Sequence, residues 1–270
     1  MQQNVFRRKN EGLYEAIEQL DARYYEADKD PRRAWALLTE PELRFAIGEI
    51  NKCLRNPRYY LENYHFIRSK GAVVHPLWPF WDSQELLLAS FEAQFNLNEM
   101  IRILVLKARQ LGITTISVAL MCWLCFLHPN VHTLSMSDEE DRVDVNFGMA
   151  RTAWANLPWW LQPEKRYDVR GQLLGFDRVK DIDRAHDPGM QSLLYFESAN
   201  QSSGAAYSKS LYGAHLAEVA RYRNSNSITE GIFGSLVNYK HSIGIMESTA
   251  RGRHSTWHRL CRASERGTLK

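Results

Sequence analysis

"LKARQLGITT", residues 106–115, follows the apolar run "IRILVL" (101–106) and leads into "TTISVALMCW". It comes close to a phosphate-binding loop of the form G-x-x-x-x-G-K-[ST]. In that pattern backbone N–H groups cradle the phosphates, Lys reaches the β/γ-phosphates and Ser/Thr binds Mg²⁺. Gly112 and Thr114 stand where the pattern requires them, but Ile113 fills the lysine position and Lys107 replaces the first glycine. A lysine there can still curl its four-carbon stem across phosphates, because it acts as a point charge. The alternative is a plain strand–turn–helix. The flanking strand and helix suit either reading, since a helix N-terminus directs its free N–H groups at the loop.

Working outward, apolar runs alternate with helical stretches. The strand candidates are 101–106, "VHTLSM" (131–136), "SLLYFES" (192–198), "SLYGAHLAE" (210–218) and "SIGIMES" (242–248). They are nearly continuous in apolar character, as strands covered on both faces are. The helices "TTISVALMCWLCFLH" and "DRVDVNFGMARTAWANLPWW" separate the first three, and another begins near Ser83. Residues 166–191 are polar with Gly and Asp turns, which suits a hairpin or excursion. The expected class is α/β with a mostly parallel central sheet flanked by helices, a phosphate-loop NTPase if residues 106–115 bind phosphate. Residues 1–58 are expected to be a helical appendage, with Leu13, Ile17 and Leu20 on one apolar face and Leu43, Ile47, Ile50 and Leu54 on another. The main domain is expected over 59–270.

Composition sets limits. The 270 residues are 44% hydrophobic and 24% charged, with 34 basic and 31 acidic side chains giving a net charge of +3. That balance excludes nucleic-acid binding by bulk charge and leaves it to local patches. Four cysteines in a chain this long make no disulfide framework, and Cys122-x-x-Cys125 lies inside an apolar run without a second pair at zinc spacing. Two buried helical thiols in a reducing cytoplasm are the expectation, against metal or redox chemistry. The longest apolar stretch, 116–127, is too short for the ~20 residues of a membrane span, and the N-terminus lacks the apolar core of a signal peptide.

Two further stretches carry chemistry. "LYGAHLAEV" is an apolar strand ending in Ala217-Glu218. ATPases orient the attacking water with a carboxylate at such a tip and hold Mg²⁺ through the residue before it. Glu218 suits the first role; Ala217 cannot fill the second. "IGIMESTARG" ends a strand in Glu247, Ser248 and Thr249, and small hydroxyls there can sense a γ-phosphate. Each has a plainer reading, as a surface Glu or a polar turn. Together they place a loop, a carboxylate and a hydroxyl pair at strand carboxyl ends, where open α/β sheets bind ligands.

In this order "KARQLGITT", "FESANQSSG", "HLAEVARY" and "ESTARG" resemble the ATPase domain of the large terminase subunit of tailed phages, the DNA-packaging motor. The resemblance covers roughly residues 56–265. It takes in "NPRYYLENYHFIRSKG" and "PFWDSQ", similar to the family's leading segment and its adenine-contacting glutamine. Many members carry the lysine at the loop's first position. The resemblance implies that Lys107 binds the β/γ-phosphates, within a nucleotide-binding run of Lys107, Ala108, Arg109, Gln110, Leu111, Gly112, Ile113, Thr114 and Thr115. It implies that Thr114 ligates Mg²⁺ with Glu218 nearby, and that Gln84 reads adenine with Phe80 or Trp81 stacking. Glu218 becomes the catalytic carboxylate, and Ser248, Thr249 and Ala250 the coupling motif. ATP and Mg²⁺ are the implied cofactors. The implied partners are double-stranded DNA, the portal protein of the procapsid, the small terminase subunit and further copies in a homo-oligomeric ring, in the host cytoplasm and away from membranes. Ala217 and Arg251 depart from the family pattern. No arginine stands just upstream of the Glu218 strand to act on a neighbour's site; Lys209, Arg142 and Arg151 are the candidates. The family's C-terminal nuclease has no counterpart within these residues. The rival readings are a helicase-like DNA-dependent ATPase and a catalytically weak assembly module.

Overall fold

The computed structural model describes residues 12–69, 73–179, 187–200, 210–253 and 255–267. The chain divides into two compact units, one of residues 1–79 with 151–163 and the other of 80–150 with 164–270. The first thus contains the expected appendage, continues to Pro79 and takes in the "NLPWW" region.

That first unit is helical: α1 (Gly12–Glu26), α2 (Pro31–Leu37), α3 (Glu40–Arg55) and α4 (Pro57–Asn63), then a two-stranded hairpin of β1 (Phe66–Arg68) and β2 (Val74–Pro76). Helix α1 buries Leu13, Ile17 and Leu20 as its spacing predicts. Helix α3 begins at a cap in which both the Thr39 N–H and its hydroxyl donate to Glu42 Oε2 at 2.7 Å. Its face differs from the expected one. Ala46, Glu49 and Cys53 are buried, whereas Leu43 and Ile47 are 37% and 47% exposed. The cause is a polar anchor: Glu49 accepts hydrogen bonds of 2.6 Å from the Tyr59 and Tyr64 hydroxyls and from Lys52 Nζ. A buried carboxylate needs such partners, so it rotates the helix toward α4. Trp159 stacks on Tyr24 at 5.5 Å and donates its indole N–H to the Leu20 carbonyl at 3.0 Å.

His65 follows α4 and is fully buried, its ring edge-on to Tyr60. Burial pushes its pKa down from 6.5 to about 3. The unfolded chain takes up this proton near pH 6.5 and the folded chain does not, so the stability is present above pH 6.5 and is lost as pH falls toward 3. The loss is about 1.4 kcal/mol per pH unit. Urea midpoints at pH 7.5, 6 and 5 should fall for the wild type and fall less steeply for His65→Phe. Parallel pH slopes for the two proteins would remove His65 as the cause.

The second unit opens with α5 (Asp82–Asn96) and then builds a seven-stranded sheet from β3 (Ile101–Leu106), β4 (His132–Ser137), β5 (Lys165–Val169), β6 (Leu173–Phe176), β7 (Ser192–Ser198), β8 (Gly213–Ala217) and β9 (Ile243–Ser248). The helices are α6 (Ile113–Leu127), α7 (Glu140–Ala155, in this unit as far as Ala150), α8 (Ser225–Ser235) and α9 (Thr256–Glu265). The strand order is β3-β9-β8-β4-β7-β6-β5. The first five strands are mutually parallel, and β6 and β5 form an antiparallel hairpin at the far edge. This is the expected mostly parallel α/β sheet, and the hairpin falls inside the polar stretch 166–191 apart from Lys165. The five expected strands are present, that at 210–218 shortened to Gly213–Ala217.

Helix α6 is apolar on all sides and buries all but Thr114 and Thr115, as a helix packed into a core must. It lies so close to β8 that a Cβ on Gly213 would stand 2.9 Å from Leu124 and Met121. Cys122 and Cys125 are free and buried in this helix, and burial raises the pKa of both thiols. They pack as inert thiols. No helix among the described residues is long and apolar enough to cross a membrane.

Candidate active site

The parallel strands bring their carboxyl ends together. In register, Leu106 of β3 pairs with Ser248 of β9, and Ala217 of β8 pairs with Glu247 of β9. The ladder runs one step further, with the Lys107 N–H donating to the Ser248 carbonyl at 3.1 Å. The chain then turns through Gln110 and Gly112, both at positive φ (61° and 67°), into α6. Gly112 is the N-cap, so no side chain caps the first turn. Its conformation and space both require glycine: a Cβ would lie 2.6 Å from Gln84 Nε2. Ala108, Arg109 and Gln110 are exposed on the loop, and Leu111 and Thr115 are half-buried.

Gln84 ties this turn to α5. Its Nε2 donates to the Gly112 carbonyl at 3.1 Å while its Oε1 accepts the Trp81 N–H at 3.0 Å, and Ser83 Oγ donates to the Leu111 carbonyl at 2.6 Å. The buried Gln84 amide therefore caps its own helix and holds the loop. One N–H and one oxygen lone pair of the amide remain beyond these bonds, the pair of functions an adenine edge calls for. Trp81, 58% exposed beside it, offers a ring face.

Lys107 is the electrostatic centre. Its side chain is only 8% exposed, and Nζ lies 2.9 Å from Glu247 Oε2 and 3.4 Å from Glu218 Oε1. Thr114 Oγ1 donates to Glu247 Oε1 at 2.6 Å. Glu218 holds a left-handed backbone, φ 59°, that costs a non-glycine residue of order 1 kcal/mol. This strained turn presents its carboxylate to Lys107, to Thr249 Oγ1 at 3.3 Å and to Arg221 Nε at 3.7 Å. Ser248 is fully buried and its Oγ accepts the Ala220 N–H at 3.1 Å. The hydroxyl pair on β9 thus bonds directly to Glu218 and to the 3-10 turn Val219–Arg221 behind it, while Ala250 is exposed. Lys107, Thr114, Glu218, Ser248 and Thr249 thus lie together at the carboxyl ends of β3, β8 and β9.

Several groups in this cluster have no role in the sequence reading. Glu247 is fully buried, and a chain of polar contacts runs on from it: His215 Nε2 to Glu247 Oε1 at 3.1 Å, Ser135 Oγ to His215 Nδ1 at 3.2 Å and Asn146 Nδ2 to Ser135 Oγ at 3.1 Å. An ionised carboxylate only accepts, so His215 Nε2 carries the proton. Burial drives the Glu247 pKa upward. The hydrogen bond from His215, with Lys107 and Thr114, outweighs that and holds it below the ordinary carboxylate range. Arg221 lies between Glu218 and Asp138, the latter at 3.9 Å, and Arg142 is bound to Asp138 by two contacts of 2.7 Å. A histidine inside the apolar run "GAHLA" and the acid in "MES" were the available signals. Of the other candidates for acting on a neighbour's site, Arg151 is exposed and Lys209 lies outside the described residues.

Among the described residues no group of three or more His, Cys, Asp or Glu could hold a metal unaided. Mg²⁺ needs no such cage: it keeps several waters and shares substrate phosphates with one or two protein oxygens. The residues fit that mode. Thr114 spends its only proton on Glu247, leaving its oxygen as an acceptor, and the buried Glu247 Oε2 has no hydrogen-bond partner beyond its ion pair with Lys107.

The second unit is thus an α/β domain with a mostly parallel sheet, whose edge strand β3 runs through the loop into a buried helix. The chain matches the crystal structure of the HK97 bacteriophage large terminase with a TM-score of 0.60 at 11% identity, over 82% of this chain and 42% of that one. It thus spans less than half the length of that protein. A solved ATPase domain of the Thermus phage P74-26 large terminase aligns at 14% identity with a TM-score of 0.39, over 57% of this chain and 61% of that one. No protein-family model and no curated protein matches the chain.

Proposed function

We propose that this chain is the ATP-hydrolysing motor domain of a phage large terminase subunit, driving double-stranded DNA into a procapsid. The observation that carries the reading is the convergence of Lys107, Thr114, Glu218 and Thr249 on one point at the carboxyl ends of β3, β8 and β9. Catalysis of phosphoryl transfer is positioning plus electrostatics. Lys107 and the first-turn N–H groups of α6 bind phosphate oxygens, with Ala108 to Thr115 forming the cradle. Mg²⁺, held by Thr114, neutralises phosphate charge when bound. Glu218 orients the attacking water, and Gln84 with Trp81 receives the adenine.

Coupling follows from the bonds on β9. Thr249 touches Glu218 and Ser248 holds the turn after it, so a change at the γ-phosphate reaches β9 and the turn Val219–Arg221 through hydrogen bonds already made. In the whole protein we place this domain, residues 59–270 behind a helical appendage, in a ring of copies docked on a portal in the host cytoplasm, with DNA delivered by a small subunit. The test is ATP turnover with and without duplex DNA. Turnover that rises with DNA supports the motor. No turnover under either condition removes the enzymatic reading and leaves an assembly module, the role that Ala217 would favour.

A further inference from the structure

The ATPase reading leaves one part without an owner. A carboxylate just before Glu218 would hold Mg²⁺ through water, and Ala217 occupies that position. We propose that Glu247 supplies this carboxylate from the neighbouring strand, as the positioning residue for Thr114 and its cation; the proposal rests on the ATPase reading above.

Four observations carry it. First, Ala217 and Glu247 are directly paired in the parallel register of β8 and β9, so their side chains leave the same face of the sheet. His215, two residues before Ala217, shares that face and touches Glu247. Second, β9 lies between β8 and the loop strand β3, one strand nearer Thr114 than Ala217 is. Third, the Thr114 hydroxyl donates to Glu247 Oε1 at 2.6 Å. This spends the hydroxyl proton and leaves the lone pairs of the oxygen for a cation. Fourth, Glu247 is fully buried and three side chains surround its carboxylate, Thr114 Oγ1 at 2.6 Å, Lys107 Nζ at 2.9 Å and His215 Nε2 at 3.1 Å. A core position with no chemical duty is more cheaply filled by an apolar side chain. The methyl group of Ala217 is then part of the same arrangement. A second acid at 217 would set two like charges side by side on adjacent strands.

The test uses Mn²⁺ as the probe, read by electron paramagnetic resonance in the presence of the β,γ-imido analogue of ATP. Nucleotide binding in EDTA is measured in parallel. Glu247→Gln keeps the side-chain volume and removes the charge, and is expected to weaken Mn²⁺ affinity about 10–100-fold while binding in EDTA persists. Adding Ala217→Asp to this variant should restore Mn²⁺ affinity toward the wild-type value, which a purely structural Glu247 would not allow. Unchanged Mn²⁺ affinity in Glu247→Gln overturns the proposal, and so does a loss that Ala217→Asp leaves uncorrected. Should Glu247→Gln alone not fold, the double variant decides: wild-type Mn²⁺ affinity supports the exchange, and weak binding or failure to fold overturns it. A wild-type protein that binds no nucleotide with or without Mn²⁺ overturns the ATPase reading itself, a result distinct from the others.

Discussion

Lys107→Ala is expected to lower ATP turnover by at least about 10²-fold, the scale of losing one preorganised charge at a phosphate or oxyanion. The expectation comes from where the ammonium sits. It is the cation that leaves the β3 end toward the loop, and it is held between two carboxylates at 2.9 and 3.4 Å with only 8% exposure. Position 113, where the lysine of the usual pattern would stand, carries a buried isoleucine at the first turn of α6. Ile113 lends the cradle only its backbone, its side chain being buried in the core, so Ile113→Val is the control, costing about 0.5–1.5 kcal/mol of stability with turnover intact. Lys107→Ala also has a structural cost, because it removes a partner of the buried Glu247. Breaking such a pair costs about 3–5 kcal/mol; His215 and Thr114 remain, so the lower end is expected. Turnover is to be measured at a temperature where circular dichroism shows the variant folded. Wild-type turnover in folded Lys107→Ala would mean that the loop does not use this lysine.

Glu218→Gln should separate binding from chemistry. The amide keeps the size and acceptor oxygen of the carboxylate, so Thr249 and the strained turn retain a partner. Lys107 keeps Glu247. Phosphate affinity should hold or rise, since one negative charge near the phosphates is gone. Turnover should fall about 10²–10⁴-fold, the range for loss of a positioned acid–base group. Fluorescent-ATP binding and phosphate release on the same preparation measure both. If the two fall together, Glu218 is a strut for the turn rather than the group that orients water.

The sheet was legible from residues 101–106, 131–136, 192–198 and 242–248 because short apolar runs of that length, broken by turns, have few alternatives. Their order was not. Strands β8 and β9 are buried along their whole length and carry no alternation to say which neighbour each takes. For the same reason the pairing of Ala217 with Glu247 was hidden: a sequence shows what precedes and follows a residue, not what lies beside it. Glu247 was in plain view within "MESTARG" and still had no assigned role, while the departure at Ala217 was the visible half of the arrangement. Two helices of the second unit were not legible. Ser225–Ser235 contains two glycines and three serines, poor helix formers that tertiary packing of Ile228 and Ile232 overrides, and Thr256–Glu265 buries only Trp257 and Cys261. Arg221 was hidden because the family resemblance points to an arginine before the strand, and the structure places one three residues after its acid. Arg142, a candidate for acting on a neighbour, is instead held by Asp138.

The polar chain Asn146–Ser135–His215–Glu247–Thr114 crosses from α7 through β4, β8 and β9 to α6. Strands apolar on both faces could slide past one another by a residue at small hydrophobic cost, because every exchanged side chain remains greasy; alternation normally prevents this, and these strands have none. A slip of β8 or β9 by one step would turn His215 or Glu247 to the opposite face and leave a charge or ring nitrogen unmatched in the core. The interlocked groups therefore act as a vernier on the central strands, and the alignment that sets Glu218, Thr114 and Thr249 beside Lys107 is the one alignment in which that vernier closes.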